Sequence, residues 1–341
     1  MSTQYYHYKE NFHLENGEVL PGITIAYHTY GTPAADGSNT VWVCHALTAN
    51  SHAAEWWPGV IGENGIIKPS QYYIVCANIL GSCYGTTGPG SIDPVTGKPY
   101  YNDFPLITIR DMVKAHILLR QHLGIEKIHL LMGGSMGGYQ ALEWCVLEKD
   151  RIDNLFLLAT SPAESAWGIS IHTAQRLAIE ADSTWKEHTV NAGHKGLKAA
   201  RAIGMLTYRN YGIMVAKQSD PDPEKLDNYR AASYIEYQGE KLANRFHAYC
   251  YWLLTKAMDS HNLGRGRGGN VEAVLAGIKQ RTLIVGITSD ILCPMHEQVF
   301  LDHHIEGSVM VEIDSAYGHD GFMVEADKIG AVLKTWLPIK G

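Results

Sequence analysis

A serine set among glycines is the feature of this sequence with the clearest capacity for chemistry. Residues 133–137 read Gly-Gly-Ser-Met-Gly, follow an apolar run at 128–132 and precede a helix-like run. In that context the G-x-S-x-G pattern predicts a strained strand-to-helix turn that lifts the hydroxyl of Ser135 clear of the backbone. Gly133, Gly137 and Gly138 are small enough for the strand and the helix to approach closely. We therefore predict Ser135 as a nucleophile; the alternative is a glycine-rich turn in which the serine is incidental.

A serine hydroxyl is a weak nucleophile at neutral pH, so the chain must also supply a general base and an acid that orients it. In folds with this turn the order is serine, acid, histidine, and loops at the carboxyl ends of later strands carry the last two. Asp290 follows the strand-like run 282–287, and His319 follows the run 309–313. We predict that Asp290 and His319 complete a triad, with Asp314 as the rival acid. The weaker candidates for the base are His172, His188, His194, His247, His303 and His304.

Acyl transfer also needs two backbone N–H groups that stabilise the oxyanion of the tetrahedral intermediate. Met136, directly after the nucleophile, is one predicted donor. The other donor should lie on a loop after an early strand, and we predict Leu47 because the loop 45–48 follows the apolar run 41–44. His45 in that loop is interpreted as a structural residue. No metal site is predicted, since no H-E-x-x-H pattern occurs, and no G-x-G-x-x-G pattern follows the first strands.

Strand-like and helix-like runs alternate around these residues. Apolar runs bounded by turn residues are typical of a parallel sheet covered on both faces. Thr108 and Asp111 form a capping-box pattern at the start of a helix predicted over 109–122. Together with the serine turn, the alternation predicts an α/β-hydrolase fold, with a mostly parallel central sheet and helices on both faces. The predicted strands lie at 41–44, 72–76, 128–132, 155–159, 282–287 and 309–313, and a helical segment begins at Asp320.

Strand-like runs are missing between about 162 and 272, where Ala, Tyr, Glu, Lys and His are frequent. We interpret 162–272 as an inserted helical lid, and 1–161 together with 273–341 as the core domain. The run GRGRGG at 264–269 marks the return linker. We expect a flexible, solvated loop there; the alternative is that Arg265 and Arg267 contact an anionic ligand.

Composition narrows the class of protein. The chain has 341 residues, of which 45% are hydrophobic and 18% charged, as in ordinary globular proteins. A net charge of −7 without a basic block argues against nucleic-acid binding. The six cysteines form no C-x-x-C pair and are interpreted as reduced, buried thiols. No signal region and no run of membrane-spanning length is found, so we expect a cytoplasmic protein that binds no membrane.

Several long motifs together resemble the homoserine O-acetyltransferase family over nearly the whole chain. They occur in the family's order, which makes them more specific than the serine turn alone. The motifs are CHALT (44–48), GSCYGTTGPGSIDPVTGKPY (81–100), DFPLITIRDMV (103–113), GGSMGGYQALEW (133–144), GLKAAR (196–201), LTYR (206–209), YQGEK (237–241), LTKAMD (254–259), GRGRGG (264–269), SDILCP (289–294) and YGHDGF (317–322).

The resemblance implies ping-pong transfer of acetyl from acetyl-CoA to L-homoserine through an acyl-serine, in methionine biosynthesis. It implies acetyl-CoA as a co-substrate with no permanently bound cofactor, and a homodimer formed largely through the lid. It carries the triad roles onto Ser135, Asp290 and His319. It also carries a substrate-binding arginine onto Arg201 and an aspartate that contacts the substrate amino group onto Asp320. These two charges suit homoserine, whose carboxylate fits the arginine fork and whose ammonium suits a carboxylate.

The chain departs from the family pattern at three places, of which the last, the segment 47–57, bears on the acyl donor more than on the fold or the acceptor. Cys293 stands where phenylalanine is frequent, His247 stands where aspartate is common, and the segment 47–57 differs from the usual glycine-containing form. Homoserine O-succinyltransferase, acyl transfer to L-serine, an esterase and a catalytically dead binding module stay open as alternatives. The lack of an obvious additional cation near 47–57 favours acetyl over succinyl.

Overall fold

An eight-stranded sheet organises residues 2–337, which the computed structural model describes. Met1 and residues 338–341, at the ends of the predicted core ranges, lie outside the described residues. The strands are β1 (Gln4–Tyr8), β2 (Phe12–His13), β3 (Val19–Leu20), β4 (Ile23–Tyr30), β5 (Thr40–Cys44), β6 (Tyr73–Ala77), β7 (Ile128–Gly134), β8 (Ile152–Leu158), β9 (Arg281–Ile287) and β10 (Val309–Ile313). The helices are α1 (Ala53–Trp56), α2 (Ile109–His122), α3 (Met136–Leu147), α4 (Ala166–Glu180), α5 (His194–Tyr208), α6 (Tyr211–Gln218), α7 (Arg230–Ala243), α8 (Ala248–Asp259), α9 (Val271–Ala276), α10 (Met295–His304), α11 (Gly321–Val324) and α12 (Ala326–Trp336).

The sheet is mostly parallel, as predicted. Its strand order is β1-β4-β6-β5-β7-β8-β9-β10, and β2 and β3 form a separate pair. Only the pairs β1–β4 and β4–β6 are antiparallel among the pairings of this sheet in the described chain; the others are parallel. The capping box that starts α2 is also confirmed, with Thr108 accepting from the N–H of Asp111. The strand expected at 155–159 begins earlier, at Ile152, and β1 and β4 were not predicted.

Two hydrophobic clusters cover the two faces of the sheet. Successive side chains of a strand point to opposite faces, so Trp42 and Cys44 belong to one cluster while Val41 and Val43 belong to the other. All five residues of β5 are buried, as are all seven of β7. Helices on both faces explain why these strands are apolar runs without polar alternation. None of the helices described between residues 2 and 337 combines the length and the apolar character of a membrane span.

The register of β5 and β7 decides where the site forms. These strands are adjacent and parallel, and Cys44 lies opposite Gly133. The chain therefore leaves both strands at the same level, with the loop 45–48 beside the turn that carries Ser135. The strand order also reverses direction here, because β6 lies on one side of β5 and β7 on the other. Crevices at such switch points are the usual ligand sites of open α/β sheets.

Helices α4 to α9 fill the chain between β8 and β9. The two connections to this region run side by side: Ala163 bridges Asn262, and the N–H of Glu164 donates to the carbonyl of His261 at 2.9 Å. The region therefore leaves and rejoins the core at one place. Its treatment as a lid domain with bounds 162–272 stays an interpretation, and α9 extends past the predicted boundary.

The loop at 264–269 is exposed to solvent at Gly266, Gly268 and Gly269, as expected, but its two arginines are held by ion pairs to the core. Arg265 pairs with Glu15 at 2.8 Å, and Arg267 pairs with Glu143, whose side chain is only 3% exposed. Arg110 pairs with both glutamates, at 2.5 and 2.6 Å. A buried carboxylate needs such partners because burial without them is costly. The linker arginines therefore fix the return of the chain onto the core; they were not recognised because their partners are distant in sequence.

Candidate active site

Ser135 lies on a strained turn between β7 and α3. Its φ and ψ are 54° and −128°, a conformation that residues other than glycine rarely adopt. A Cβ on Gly133 would lie 2.2 Å from the carbonyl oxygen of Gly137, and one on Gly138 would lie 2.4 Å from Oγ1 of Thr160. A Cβ on Gly137 would lie 2.1 Å from the carbonyl oxygen of Cys44. The steric requirement predicted for the three glycines is confirmed, since no side chain fits at these positions.

The structure brings the three predicted triad residues together. Oγ of Ser135 lies 2.9 Å from Nε2 of His319, and Nδ1 of His319 lies 2.6 Å from Oδ2 of Asp290. The second carboxylate oxygen of Asp290 accepts from the backbone N–H groups of Leu292 and Cys293, at 2.8 and 3.0 Å. All three residues are buried. The carboxylate is thus fixed on both oxygens and can orient the imidazole toward the serine.

The rival acid is not placed for this role. Asp314 is exposed and its Oδ1 lies 3.2 Å from the hydroxyl of Thr288, which donates to it. Among the rival bases, His172 is engaged by Asp259 at 2.9 Å, and His303 and His304 lie on α10. The geometry therefore favours Asp290 and His319, whose catalytic roles stay predictions.

The electrostatics of His319 suit a base that is paired with an anion. Burial by itself lowers the pKa of this imidazole, because it disfavours the charged form. The charge and hydrogen bond of Asp290, with smaller contributions from Asp320 and Glu164, outweigh burial and raise the pKa above its ordinary value. The environment thus stabilises the imidazolium that forms when a base takes the proton of a serine.

Both predicted oxyanion donors lie beside the serine. Within the described residues, neither the N–H of Leu47 nor that of Met136 donates a hydrogen bond to a protein acceptor. Because Gly137 has no side chain, the start of α3 can lie directly against the carbonyl of Cys44, the last residue of β5. Two unpaired N–H groups at converging elements are suited to an oxyanion. The assignment of Leu47 and Met136 to this role is a prediction that the geometry favours.

His45 is structural in this loop, as interpreted from the sequence. Its Nε2 accepts from the N–H of Ile79 at 3.2 Å, so Nδ1 carries the proton and donates to the carbonyl of Ala46 at 2.9 Å. Burial lowers the pKa of His45 to about 4, which keeps the ring neutral at neutral pH. Both ring nitrogens are therefore used to hold the loop rather than to contact a substrate.

A cavity of about 70 Å³ opens above the serine and contains both residues predicted for substrate binding. Arg201 and Tyr208 lie two turns apart on α5, and Cζ of Arg201 lies 5.0 Å from the centroid of the Tyr208 ring. In residues 2–337 the guanidinium of Arg201 forms no ion pair with a carboxylate. The cavity is lined by Ala46, Leu47, Thr48, Ser135, Arg201, Tyr208, His319, Asp320, Phe322 and Met323.

Asp320 has a protein partner that the sequence analysis missed. Its Oδ2 lies 3.1 Å from Nε of Arg209, although the angle is not that of a hydrogen bond. Burial raises the pKa of Asp320, while Arg209, Arg201 and His319 oppose this. Tyr208 was also missed; its ring centroid lies 6.0 Å from that of His319. Tyr208 and Arg209 both belong to the LTYR motif, to which the sequence reasoning gave no role.

The segment 47–57, one of the departures from the family pattern, reaches this cavity at its first two residues only. Of the segment 47–57, only Leu47 and Thr48 line it among the described residues. Trp57, at the other end, donates from Nε1 to the carbonyl of Phe322 at 3.1 Å, which ties the segment to the turn after the base. The segment is thus mainly a support for the site.

Cys293 completes the one group of potential metal ligands in the described part of the chain, together with Asp290 and His319. Burial raises the pKa of the Cys293 thiol well above its ordinary range, which disfavours the thiolate that a metal binds. The other two side chains already bind each other and Ser135. The group therefore fits a triad better than a metal centre.

Comparison with known proteins relates these features to function. A family model for the alpha/beta hydrolase fold matches residues 39–326. A homoserine O-acetyltransferase of Cyclobacterium marinum is 46% identical over 336 residues, covering 98% of this chain and 95% of the relative. The solved structure of homoserine O-acetyltransferase from Bacillus anthracis matches with a TM-score of 0.89 at 24% identity, over 99% of this chain and 97% of that one. Esterase E22 matches with a TM-score of 0.88 at 23% identity, over 98% and 99%. At these identities the two structures establish the fold alone.

The raised pKa of His319 predicts the position of the acid limb of activity. A base acts only when neutral, so a raised pKa moves the loss of activity to a pH above the ordinary histidine value of about 6.5. Asp320→Asn removes a negative charge that raises this pKa, and we expect the limb to move to lower pH. The measurement is kcat/KM against pH with p-nitrophenyl acetate, which has no ammonium for Asp320 to bind.

Asp314→Asn is the matched control, because Asp314 is exposed and bonded to Thr288 instead of the base. The acid limb of kcat/KM against pH for Asp314→Asn should coincide with that of the wild type. An Asp320→Asn limb that stays in place or moves to higher pH would contradict the electrostatic account.

Proposed function

The chain belongs to the homoserine O-acetyltransferase family of α/β-hydrolase-fold proteins, and from this premise we propose that Ser135 carries acetyl from acetyl-CoA to the hydroxyl of L-homoserine. The proposal rests on the residues that line one cavity. The cavity combines a serine–histidine pair with an arginine and an aspartate, Arg201 and Asp320. A zwitterionic amino acid with a hydroxyl needs this combination of groups.

In the first half-reaction, His319 takes the proton of Ser135 through Nε2, and Oγ attacks the thioester carbonyl of acetyl-CoA. The N–H groups of Leu47 and Met136 stabilise the oxyanion. The C–S bond then breaks, and the imidazolium returns the proton to the leaving CoA thiolate. Asp290 holds the imidazole and stabilises its charged form throughout.

In the second half-reaction, homoserine replaces CoA. Its carboxylate binds the guanidinium of Arg201, which forms no ion pair with a carboxylate in residues 2–337. Its ammonium binds Asp320, next to the base. His319 takes the proton of the substrate hydroxyl, whose oxygen attacks the acetyl-serine ester. The ester bond to Ser135 breaks, the serine regains a proton from His319, and O-acetylhomoserine is released.

The cavity favours acetyl over succinyl as the transferred group. Succinyl carries a second carboxylate, which requires a cation or several donors. Arg201 is the one arginine or lysine among the cavity-lining residues of the described chain, and the acceptor carboxylate uses it. Ala46, Leu47, Phe322 and Met323 supply apolar walls that suit a methyl group.

The proposal extends to assembly and location. Several large apolar side chains of the region 162–272 are exposed, among them Leu206 at 63% and Tyr211 at 83%. None of the residues of α6 is buried. Exposed apolar surface of this kind marks interaction sites, and we assign it to a homodimer formed through the lid. A cytoplasmic location agrees with the free state of all six cysteines.

A panel of donors and acceptors tests the function. Acetyl-CoA and succinyl-CoA are each combined with homoserine, serine and water, and products are identified by mass spectrometry. We expect acetyl-CoA with homoserine to turn over at least about tenfold faster than any other pair, which corresponds to about 1.4 kcal/mol. Ser135→Ala should abolish this product. Faster hydrolysis than transfer would identify an esterase instead, and undiminished transfer by Ser135→Ala would remove the acyl-serine.

Arg201 should affect the acceptor and not the donor. Arg201→Met removes charged hydrogen bonds of about 1.5–3 kcal/mol, so KM for homoserine should rise by about tenfold to a hundredfold. Arg201→Lys should be intermediate, because an ammonium cannot bind a carboxylate with two parallel bonds. The rate of Ser135 acetylation by acetyl-CoA should stay unchanged in both variants.

Lys198→Met on the same helix is the matched control, since Lys198 pairs with Glu240 away from the cavity. It should leave KM for homoserine unaltered. An Arg201→Met variant that binds homoserine normally, or that slows acetylation equally, would contradict the assigned role.

A further inference from the structure

The loop that carries Leu47 is a tight turn whose first part is held by the core. The N–H of Ala49 donates to the carbonyl of Ala46 at 3.1 Å, which closes a turn with Leu47 and Thr48 at its tip. Nε2 of the fully buried Gln140, on α3, donates to the carbonyls of His45 and Met136 at 3.1 and 3.2 Å. The entry to the turn is therefore tied to the helix that follows the nucleophile.

The tip of the same turn is held from the lid. Nη1 of Arg245 donates to the carbonyl of Thr48 at 2.7 Å and to the hydroxyl of Tyr84 at 2.5 Å. Arg245 lies in the short connection between α7 and α8. It is an exposed arginine, and within residues 2–337 it pairs with no carboxylate. Its guanidinium bonds a carbonyl and a hydroxyl of the core, which positions the turn rather than neutralising a charge. Its backbone carbonyl also accepts from Sγ of Cys83 at 3.9 Å, a contact that does not involve the side chain.

We propose that Arg245 is a positioning residue, through which the lid fixes the turn that presents the N–H of Leu47 to the oxyanion. The inference rests on the proposed function, in which Leu47 is an oxyanion donor. Gln140 holds the entry of the turn and Arg245 holds its tip, so the oxyanion hole is complete only while the lid lies on the turn. The lid thereby contributes to acyl transfer itself, in addition to acceptor binding.

The test compares Arg245→Ala with the wild type in the first half-reaction. The pre-steady-state rate of Ser135 acetylation is measured with acetyl-CoA and with p-nitrophenyl acetate, which lacks the CoA moiety. We expect both rates to fall by about tenfold, less than the loss of about 10²–10³ that follows removal of an oxyanion donor. KM for acetyl-CoA and the midpoint of thermal unfolding should stay close to wild-type values. Millimolar guanidinium ion should restore part of both rates.

Arg230→Ala is the matched control, because Arg230 is an exposed lid arginine that donates to the carbonyl of Ser219 within the lid. It should acetylate at the wild-type rate and show no response to guanidinium. This comparison separates the removal of an arginine from the removal of this particular contact.

Three results would overturn the inference. Unchanged acetylation by Arg245→Ala would show that the turn needs no support from the lid. A loss confined to acetyl-CoA and expressed in KM would make Arg245 a contact for the donor. A lowered unfolding midpoint without guanidinium rescue would reduce its role to stability. In each case wild-type acetylation of Ser135 leaves the proposed function intact, whereas absence of acetyl-serine in the wild type would refute the proposed function first.

Discussion

The left-handed backbone of Ser135 is the constraint on which the rest of the site depends. A residue other than glycine in a sparsely populated region costs about 1–3 kcal/mol and persists only when its surroundings determine it. Here the N–H of Ser135 donates to the carbonyl of Leu158 at 3.0 Å, and Thr160 donates to the carbonyl of Ser135 at 2.9 Å. Both partners lie at the end of β8 or just after it. The neighbouring strand therefore holds the turn, and the turn directs Oγ toward His319 while leaving the N–H of Met136 without a protein acceptor in residues 2–337.

The other residues of the site follow the carboxyl ends of parallel strands, at the same edge of the sheet as the Ser135 turn. The turn with Leu47 follows β5, Asp290 follows β9, and His319 follows β10. Helix α5 of the inserted region then places Arg201 and Tyr208 in the cavity. In the proposed function, acyl chemistry thus belongs to the core and recognition of the acceptor belongs largely to the inserted helical region. Arg245 crosses this division because it binds the turn with Leu47 from the inserted region.

The parts of this arrangement that could be predicted from sequence are those encoded by short segments. The serine turn, the strand ends before Asp290 and His319, and the helix at 109–122 each carry a local signal of spacing or capping. Arg201 was identifiable only through a family motif, since an arginine on a helix has no distinctive local pattern. Other features depend on which segments pack together after folding, and no local pattern encodes that. They are the partners of Arg265 and Arg267, the ion pair between Arg209 and Asp320, and the contact between Arg245 and Thr48.

The central claim is that Ser135 holds an acetyl group between the two substrates, and its most direct test is to observe that intermediate. The wild-type protein is mixed with acetyl-CoA in the absence of homoserine, quenched in acid, digested and examined by mass spectrometry. The account predicts acetylation of the peptide that contains Ser135, and loss of this label with formation of O-acetylhomoserine when homoserine is added before the quench. An enzyme that forms O-acetylhomoserine at full rate without any acetylation of Ser135, or with a label that homoserine cannot remove, would contradict the account.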